Sequence, residues 1–186
     1  MRTLLLVRAG LAVLAAAGLA ACTGPGAGLD GSLGYCCWAG VTTVPGRPAD
    51  FTGFLANHTG QVVILKAAAL LPLKGFAVPR LVHLAVEPTR EFAASEIGWP
   101  PNGDNLHLVP FAGAHVWRGR KVQILYGVLA SKVGEYGDAG IRLTVLVGST
   151  LATVDVLSAA GTCVKYSLNI NCPGSFYNRI QKAGTG

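Results

Sequence analysis

Residues 140–156 read GIRLTVLVGSTLATVDV, and their pattern is that of two β-strands joined by a tight turn. Apolar side chains recur at every second position on both sides of the turn: Ile141, Leu143 and Val145, then Ala152, Val154 and Val156. A period of two places such side chains on one face of a strand. Gly148 and Ser149 join the two runs, and a two-residue loop that begins with Gly suits a type II′ hairpin. The stretch therefore predicts a hairpin with one buried face.

The same period of two recurs at residues 82–86 and 121–128, and residues 61–71 form a longer apolar run that predicts a strand covered on both faces at its centre. Turn signals stand at NHTG (57–60) and GDAG (137–140). No convincing helical period follows residue 22. The sequence thus predicts an all-β fold, a single antiparallel β-sandwich of about eight strands. The predicted domain spans residues 35–177, with long surface loops between residues 87 and 113 and a frayed tail at 178–186.

Composition limits the class of protein. The chain has 186 residues, of which 51% are hydrophobic and 13% are charged. That balance excludes an intrinsically disordered chain and suits one globular domain. The formal net charge is +6, but the basic residues are scattered apart from Arg118, Arg120 and Lys121. We interpret this group as a solvated turn or strand end, because a nucleic-acid binder needs a basic stripe. No nucleic-acid partner is expected.

The N-terminus has the composition of an export signal. Residues 1–22 read MRTLLLVRAGLAVLAAAGLAAC, with Arg2 and Arg8 before an uncharged run from Ala9 to Cys22. This run is shorter than the roughly 20 residues of a transmembrane helix. A positively charged start, an apolar centre and small residues at the end are typical of a secretory signal peptide. Its removal would lower the net charge from +6 to +4, which suits a surface that faces anionic lipid or cell-wall polymer.

Leu19-Ala20-Ala21-Cys22 resembles the bacterial lipobox. The resemblance implies that residues 1–21 are a lipoprotein signal peptide and that Cys22 becomes an acylated N-terminus. It would carry a diacylglycerol with chains such as palmitate. Several acyl chains on one residue give stable anchoring, so the expected location is the outer face of the cytoplasmic membrane. Residues 22–34 would form a Gly-rich tether. The alternative is an ordinary cleavage site with an incidental thiol at Cys22.

A second resemblance concerns the globular part. NHTGQVVILKAAALL (57–71), RLVHLAV (80–86) and the 140–156 stretch resemble small exported β-sandwich proteins of actinobacteria. Those proteins look immunoglobulin- or fibronectin-like, and most have no assigned activity. The resemblance covers roughly residues 51–160. It implies the sandwich fold and no catalytic residues.

Four cysteines follow Cys22, namely Cys36, Cys37, Cys163 and Cys172. An even number in an exported chain predicts two disulfides. A vicinal Cys36–Cys37 bridge would force an unusual peptide geometry. We therefore favour one bond from each of these two residues to Cys163 or Cys172, which would clamp the start of the domain to its end. A local Cys163–Cys172 loop is the alternative. The spacings match neither zinc nor blue-copper sites, so no metal or cofactor is expected.

Three residues are candidates for ligand or partner contact. Trp99 precedes two prolines in an irregular loop, where an exposed aromatic favours sugar or protein contact; the alternative is that it caps the sandwich. His107 and His115 flank residues 109–113 and could approach each other across a hairpin to bind a cation. We favour the alternative of two unrelated surface histidines.

Catalytic signals are weak. The chain contains neither G-x-S-x-G nor S-x-x-K, the signatures of activated serines. Glu87, Glu91 and Glu96 are interpreted as solvated loop charges. The sequence therefore favours a non-catalytic, lipid-anchored binding or scaffolding module for another envelope protein or a cell-wall polymer. The alternative is a solute- or metal-binding lipoprotein that uses His107, His115 and nearby carboxylates, and an envelope hydrolase ranks last.

Overall fold

The structure is a computed structural model that describes residues 28–32, 38–89, 95–101 and 106–184. Within these ranges the chain forms eleven strands and one helix. The strands are β1 Leu29–Ser32, β2 Trp38–Thr43, β3 Ala49–Asn57, β4 Val63–Pro72, β5 Arg80–Glu87, β6 Ser95–Ile97, β7 Val109–Pro110, β8 His115–Val116, β9 Lys121–Leu129, β10 Gly134–Val147 and β11 Thr150–Val164. Helix α1 spans Gly174–Gly184, and no helix among the described residues is long and apolar enough to cross a membrane.

The strands form two sheets around a shared core. The first sheet has the order β1-β3-β9-β5-β7, with β6 also paired to β3, and the second has the order β2-β11-β10-β4-β8. The all-β prediction is confirmed, although the described residues contain eleven strands rather than about eight. The expectation of wholly antiparallel sheets is wrong because β2 pairs in parallel with β11. β1 lies beside the first half of β11 and runs in the same direction. β2 follows β1 in the chain, keeps this direction and pairs with β11 from Ala159 onward.

The hairpin predicted at residues 140–156 is confirmed. β10 and β11 pair in register from Leu143↔Val154 to Val147↔Thr150, around Gly148 at φ +60°. Apolar side chains of this hairpin enter the core, which both sheets supply: Ile141, Leu143, Val145 and Val156 from the second sheet, and Phe51, Leu55, Ile124 and Tyr126 from the first. Arg142 and Asp155 pair on the opposite face at 2.7 Å. The alternation of the sequence thus matches the two faces of the sheet.

The sandwich has two ends with different residues. The Asn57 end holds Gly28, the turn at 57–60, the turn at 117–120 and the hairpin turn at 148–149. The Cys172 end holds the last residue of β2, the first of β3 and the loop after β11. β11 has 15 residues and runs from one end to the other, a length of roughly 45 Å at about 3.3 Å per residue.

Both predicted flexible segments contain regular structure. Residues 29–32 of the expected 22–34 tether form β1, which pairs with β3; residues 22–27, including Cys22, lie outside the described residues. The expected frayed tail at 178–186 is helical as far as residue 184, with Ile180 fully buried. The helix packs against Gly40 and Gly161, which are cross-strand neighbours in the second sheet. Gly137, the next glycine across the sheet, lies against Phe76 and Leu73 instead. A Cβ on Gly161 would lie 2.5 Å from Ile180 Cδ1, so the missing side chains make room for the helix.

A disulfide joins Cys163 to Cys172, with their Cα atoms 6.2 Å apart. The favoured clamp between the domain's start and end is therefore wrong, and the local loop is present. The reason is geometric: the chain turns after β11 and returns Cys172 beside Thr42 of β2, whose Oγ1 lies 3.4 Å from Sγ of Cys172. Cys36 and Cys37 lie outside the described residues.

Residues 95–99, within the long connection after β5, lie over the outer face of the first sheet. β6 pairs with β3, whereas Trp99 stacks on His83 of β5, so residues 95–99 cross β9, which lies between those strands. Leu125 and Gln123 point away from the core yet are buried. The predicted surface loops therefore act as a cover for this face.

Candidate functional site

An open groove of about 600 Å³ lies at the Asn57 end. Its aromatic lining includes Trp117, which is 59% exposed, and His115, whose ring meets the indole edge-to-face at 5.8 Å. Arg120 and Lys121 add positive charge, and Lys121 Nζ lies 4.6 Å from the centre of the Phe54 ring. Aromatic and cationic groups side by side suit an anionic partner with apolar parts.

The groove is built on a rigid turn. Residues 117–120 form it through a hydrogen bond from Arg120 N to Trp117 O at 3.0 Å, with Gly119 at φ +69°. Asn57 holds this turn by both main-chain groups: its N donates to Arg120 O at 2.9 Å, and its O accepts from Gly119 N at 2.8 Å. The interpretation of the Arg118, Arg120 and Lys121 group as a solvated turn or strand end fits this geometry.

The side chain of Asn57 binds the other segments at this end of the sandwich. Its Nδ2 donates to the carbonyls of Gln61 and Val116, each at 2.8 Å. Its Oδ1 accepts from the N–H and the hydroxyl of Thr59 at 3.0 and 2.7 Å. Asn57 is fully buried, so it joins β3, β8 and the 57–60 turn into one unit. Sequence reasoning identified the turn but not this role.

His107 and His115 do not face each other across a hairpin. His107 precedes β7, and His115 is the first residue of β8. β7 pairs with β5 of the first sheet, whereas β8 pairs with β4 of the second. The chain crosses from the first sheet to the second between β7 and β8, and Phe111 in this segment is buried in the core. The main chain of His107 donates to Glu87, and no three His, Cys, Asp or Glu residues within the described ranges form a group able to hold a metal. The hairpin across which the two histidines could approach each other is therefore not formed by β7 and β8.

Glu87 is not the solvated loop charge that the sequence predicts. It is fully buried, and one carboxylate oxygen accepts from Thr89 N and Thr89 Oγ1 at 2.9 and 2.6 Å. The other oxygen accepts from His107 N. Glu87 thus ties the start of the long connection to its end. Glu91 lies outside the described residues.

Trp99 lies flat on His83, with ring centroids 4.8 Å apart and planes 11° apart. It is half-buried on the outer face of the first sheet, above Gly127 of β9. A Cβ on Gly127 would lie 3.2 Å from the indole and 3.0 Å from the His83 ring. Trp99 therefore covers a sheet face rather than the end of the sandwich. Its role in partner contact stays a prediction, with one indole face already covered.

A buried acid lies beside this stack. Asp50 of β3 is opposite Glu96 of β6, is 1% exposed, and has no hydrogen-bond partner for either carboxyl oxygen in the described part of the chain. Burial, and then the charge of Glu96, raise the pKa of Asp50 to about 7. No sequence signal marked Asp50, because alternation along β3 places it on the outer face and the cover over that face is not local.

A second buried acid lies between the sheets. The Tyr126 hydroxyl donates to Asp138 Oδ1 at 3.1 Å and lies 3.1 Å from Ser158 Oγ, and Gly140 N donates to the same Asp138 oxygen at 3.1 Å. Burial raises the pKa of Asp138 to about 8. All three side chains are enclosed by the core, so they join the two sheets and are closed to a substrate.

The disulfide loop presents apolar side chains to solvent at the Cys172 end. Tyr166 is 85% exposed, Leu168 is 41% exposed and Ile170 is 47% exposed. The disulfide closes the loop, and Ile170 N donates to Ser167 O at 3.2 Å inside it. Sequence reasoning missed this surface, although the alternation of Tyr166, Leu168 and Ile170 with polar residues was visible.

Comparisons with known proteins give limited similarity. No protein-family model and no curated protein sequence matches the chain. Among solved structures it is similar to the ASH/PapD-like domain 7 of human CEP192, at 12% identity and a TM-score of 0.44, over 90% of this chain and 98% of that one. It is also similar to the VesB protease of Vibrio cholerae, at 9% identity and a TM-score of 0.36, over 73% of this chain and 31% of that one. A family 123 glycoside hydrolase from Clostridium perfringens matches at 8% identity and a TM-score of 0.37, over 69% of this chain and 22% of that one. The function of this chain is therefore inferred from its own surfaces.

Proposed function

We propose that this chain is a lipid-anchored, non-catalytic binding module of the bacterial envelope, with an immunoglobulin- or fibronectin-like sandwich held to the outer face of the cytoplasmic membrane through Cys22. The module binds another envelope protein through the disulfide loop at its Cys172 end. The observation that carries the proposal is the exposure of Tyr166, Leu168 and Ile170 on a covalently closed loop.

Exposed apolar groups in a cluster are characteristic of contact surfaces. Tyrosine is enriched among the residues that dominate binding energy. A closed loop also loses less conformational freedom when a partner binds, so more of the contact energy appears as affinity. These properties favour a protein partner over a polysaccharide at this end.

The metal-binding alternative has no support from the geometry, because His107 and His115 belong to segments that pair with opposite sheets. The hydrogen-bonded side chains of Tyr126, Asp138 and Ser158 are buried from solvent. We assign them a structural role. The proposed module therefore works by contact alone.

Two experiments test the proposal. The first is the intact mass of the chain extracted from membranes: acyl groups on Cys22 support the anchor. Loss of the Cys22→Ala chain from the membrane fraction would support it as well. An unmodified chain that remains in that fraction contradicts it.

The second experiment maps the partner surface with a photo-crosslinking side chain at residue 168. The matched control is residue 157, because Leu157 is 60% exposed but lies on the outer face of β11. We expect a discrete protein adduct from position 168 only, and its loss when Cys163 and Cys172 are both changed to Ser. Equal adducts from positions 168 and 157 would show that the loop has no special role.

A further inference from the structure

The anchor and the basic groove lie at the same end of the domain. Gly28 O accepts a hydrogen bond from His58 N at 2.6 Å, and Asn57 beside it holds the 117–120 turn. From this geometry we infer that the Asn57 end docks on the anionic lipid surface, with Trp117 in the interfacial layer and Arg118, Arg120 and Lys121 against the headgroup phosphates. The inference rests on the proposed acylation of Cys22.

The length of chain between the anchor and the domain limits the distance. Six residue steps separate Cys22 from Gly28, and a fully extended chain covers at most about 3.6 Å per step, or roughly 20 Å in all. Because Gly28 is held at the Asn57 end, that end stays within this reach of the membrane. The Cys172 end lies at the other end of β11, roughly 45 Å from the Asn57 end.

The charges at this end match an anionic surface. Arg118 and Arg120 are exposed in the 117–120 turn, and Lys121 is exposed at the start of β9. The salt bridges found among the described residues do not involve the two arginines. On the acidic side, β1 contributes exposed Asp30, while Glu87 is buried against Thr89 and His107. Basic residues close to an anionic leaflet are attracted to it, whereas those further than a Debye length are not.

Apolar groups at this end favour a membrane over a soluble polymer. Trp117 is 59% exposed, and tryptophan prefers the boundary between headgroups and acyl chains. Leu151 is 62% exposed beside the hairpin turn at the same end. A soluble anionic polymer would engage the cations but would leave these two side chains in water. A lipid surface offers a partner to both kinds of group.

Vesicles that contain brominated phosphatidylcholine test the docking, because bromine quenches a tryptophan that reaches the interface. The acylated chain, purified from membranes, is reconstituted with phosphatidylcholine alone or together with phosphatidylglycerol. We expect quenching that depends on phosphatidylglycerol and that disappears in Trp117→Phe. The control Trp99→Phe keeps it, because Trp99 lies half-buried on a sheet face.

Removal of the cations gives the quantitative test. Each of Arg118→Gln and Arg120→Gln should lower the ratio of docked to undocked chain about fivefold, the effect of one basic residue near an anionic membrane. The acylated variants still float with the vesicles, so anchoring and docking are read separately.

The outcomes distinguish failure of the anchor from failure of the docking. A chain whose mass shows no acyl group refutes both. An acylated chain whose quenching is absent, independent of phosphatidylglycerol or unchanged in Trp117→Phe refutes the docking alone. A change in Trp117 fluorescence with soluble polyglycerol phosphate, without any change with vesicles, would assign the groove to a polymer. That result would also refute the docking.

Discussion

Asp138 should make the free energy of unfolding depend on pH across the neutral range. Its carboxyl group is enclosed between the sheets, where Gly140 N and the Tyr126 hydroxyl donate to the same oxygen. Burial outweighs these two hydrogen bonds and raises its pKa to about 8, from an ordinary value of 3.8. The folded chain therefore keeps a proton that the unfolded chain releases.

The sign and size of the effect follow from that difference. Between about pH 4 and about pH 8 the folded state binds one more proton at this site, so rising pH favours unfolding. One proton corresponds to about 1.4 kcal/mol per pH unit, or about 3 kcal/mol between about pH 5 and about pH 7. Asp50, whose pKa is raised to about 7, makes the free energy of unfolding fall with pH in the same way. Its contribution ends near pH 7, about one pH unit below that of Asp138.

Urea titrations at several pH values, with Asp138→Asn beside the wild type, measure this slope. The amide oxygen of asparagine can accept the same two hydrogen bonds but binds no proton, so the variant should lose about 1.4 kcal/mol per pH unit of slope. Asp155→Asn is the matched control on the same hairpin, because its bond to Arg142 lowers the pKa of Asp155 and keeps it ionised throughout. An unchanged slope in Asp138→Asn would refute the assignment of a buried, protonated acid.

Other substitutions test separate parts of the structure. Replacement of Cys163 and Cys172 by Ala opens a ten-residue loop and should lower the free energy of unfolding by about 3 kcal/mol in urea titrations. Reduction of the wild-type disulfide should cause the same loss of stability. A loss well under 1 kcal/mol would contradict the prediction. Gly161→Val should cost about 1–3 kcal/mol by overpacking against the helix, with faster amide exchange in residues 174–184. Asp50→Leu should raise stability by about 1–3 kcal/mol above pH 7, because it removes a buried carboxylate whose oxygens have no hydrogen-bond partner among the described residues. Asn57→Ala should lower the thermal midpoint and cost about 3 kcal/mol, since its amide makes four hydrogen bonds.

Local patterns predicted the sheets well. The alternation in residues 140–156 identified β10, β11 and the turn between them, because a strand with one buried face must alternate. The NHTG turn was likewise readable, since Asn accepts hydrogen bonds from the residues just after it. Both features depend on neighbours in sequence.

The candidate surfaces depend on residues far apart in sequence and were mostly missed. Gly40 and Gly161 become neighbours only after β2 and β11 pair, and the space above them explains why a helix with little sequence signal packs at residues 174–184. The burial of Asp50 requires the connection that crosses β9. The pairing of Cys172 with Cys163 likewise depends on the chain folding back to the end of β11. Periodicity carries no information on such contacts.

β1 is the element that links the proposed anchor to an orientation of the domain. If residues 22–34 were all tether, the chain would enter the sandwich at β2, whose first residue Trp38 pairs with Ala159 in the second half of β11. The tether would then allow either end to face the membrane. Instead β1 pairs along β3, with Gly31 so close to β11 that a Cβ there would lie 2.5 Å from Asp155 O. This pairing fixes Gly28 at the Asn57 end. The proposed anchor at Cys22 would therefore keep the basic turn within reach of the lipid, with Tyr166, Leu168 and Ile170 at the opposite end of the domain.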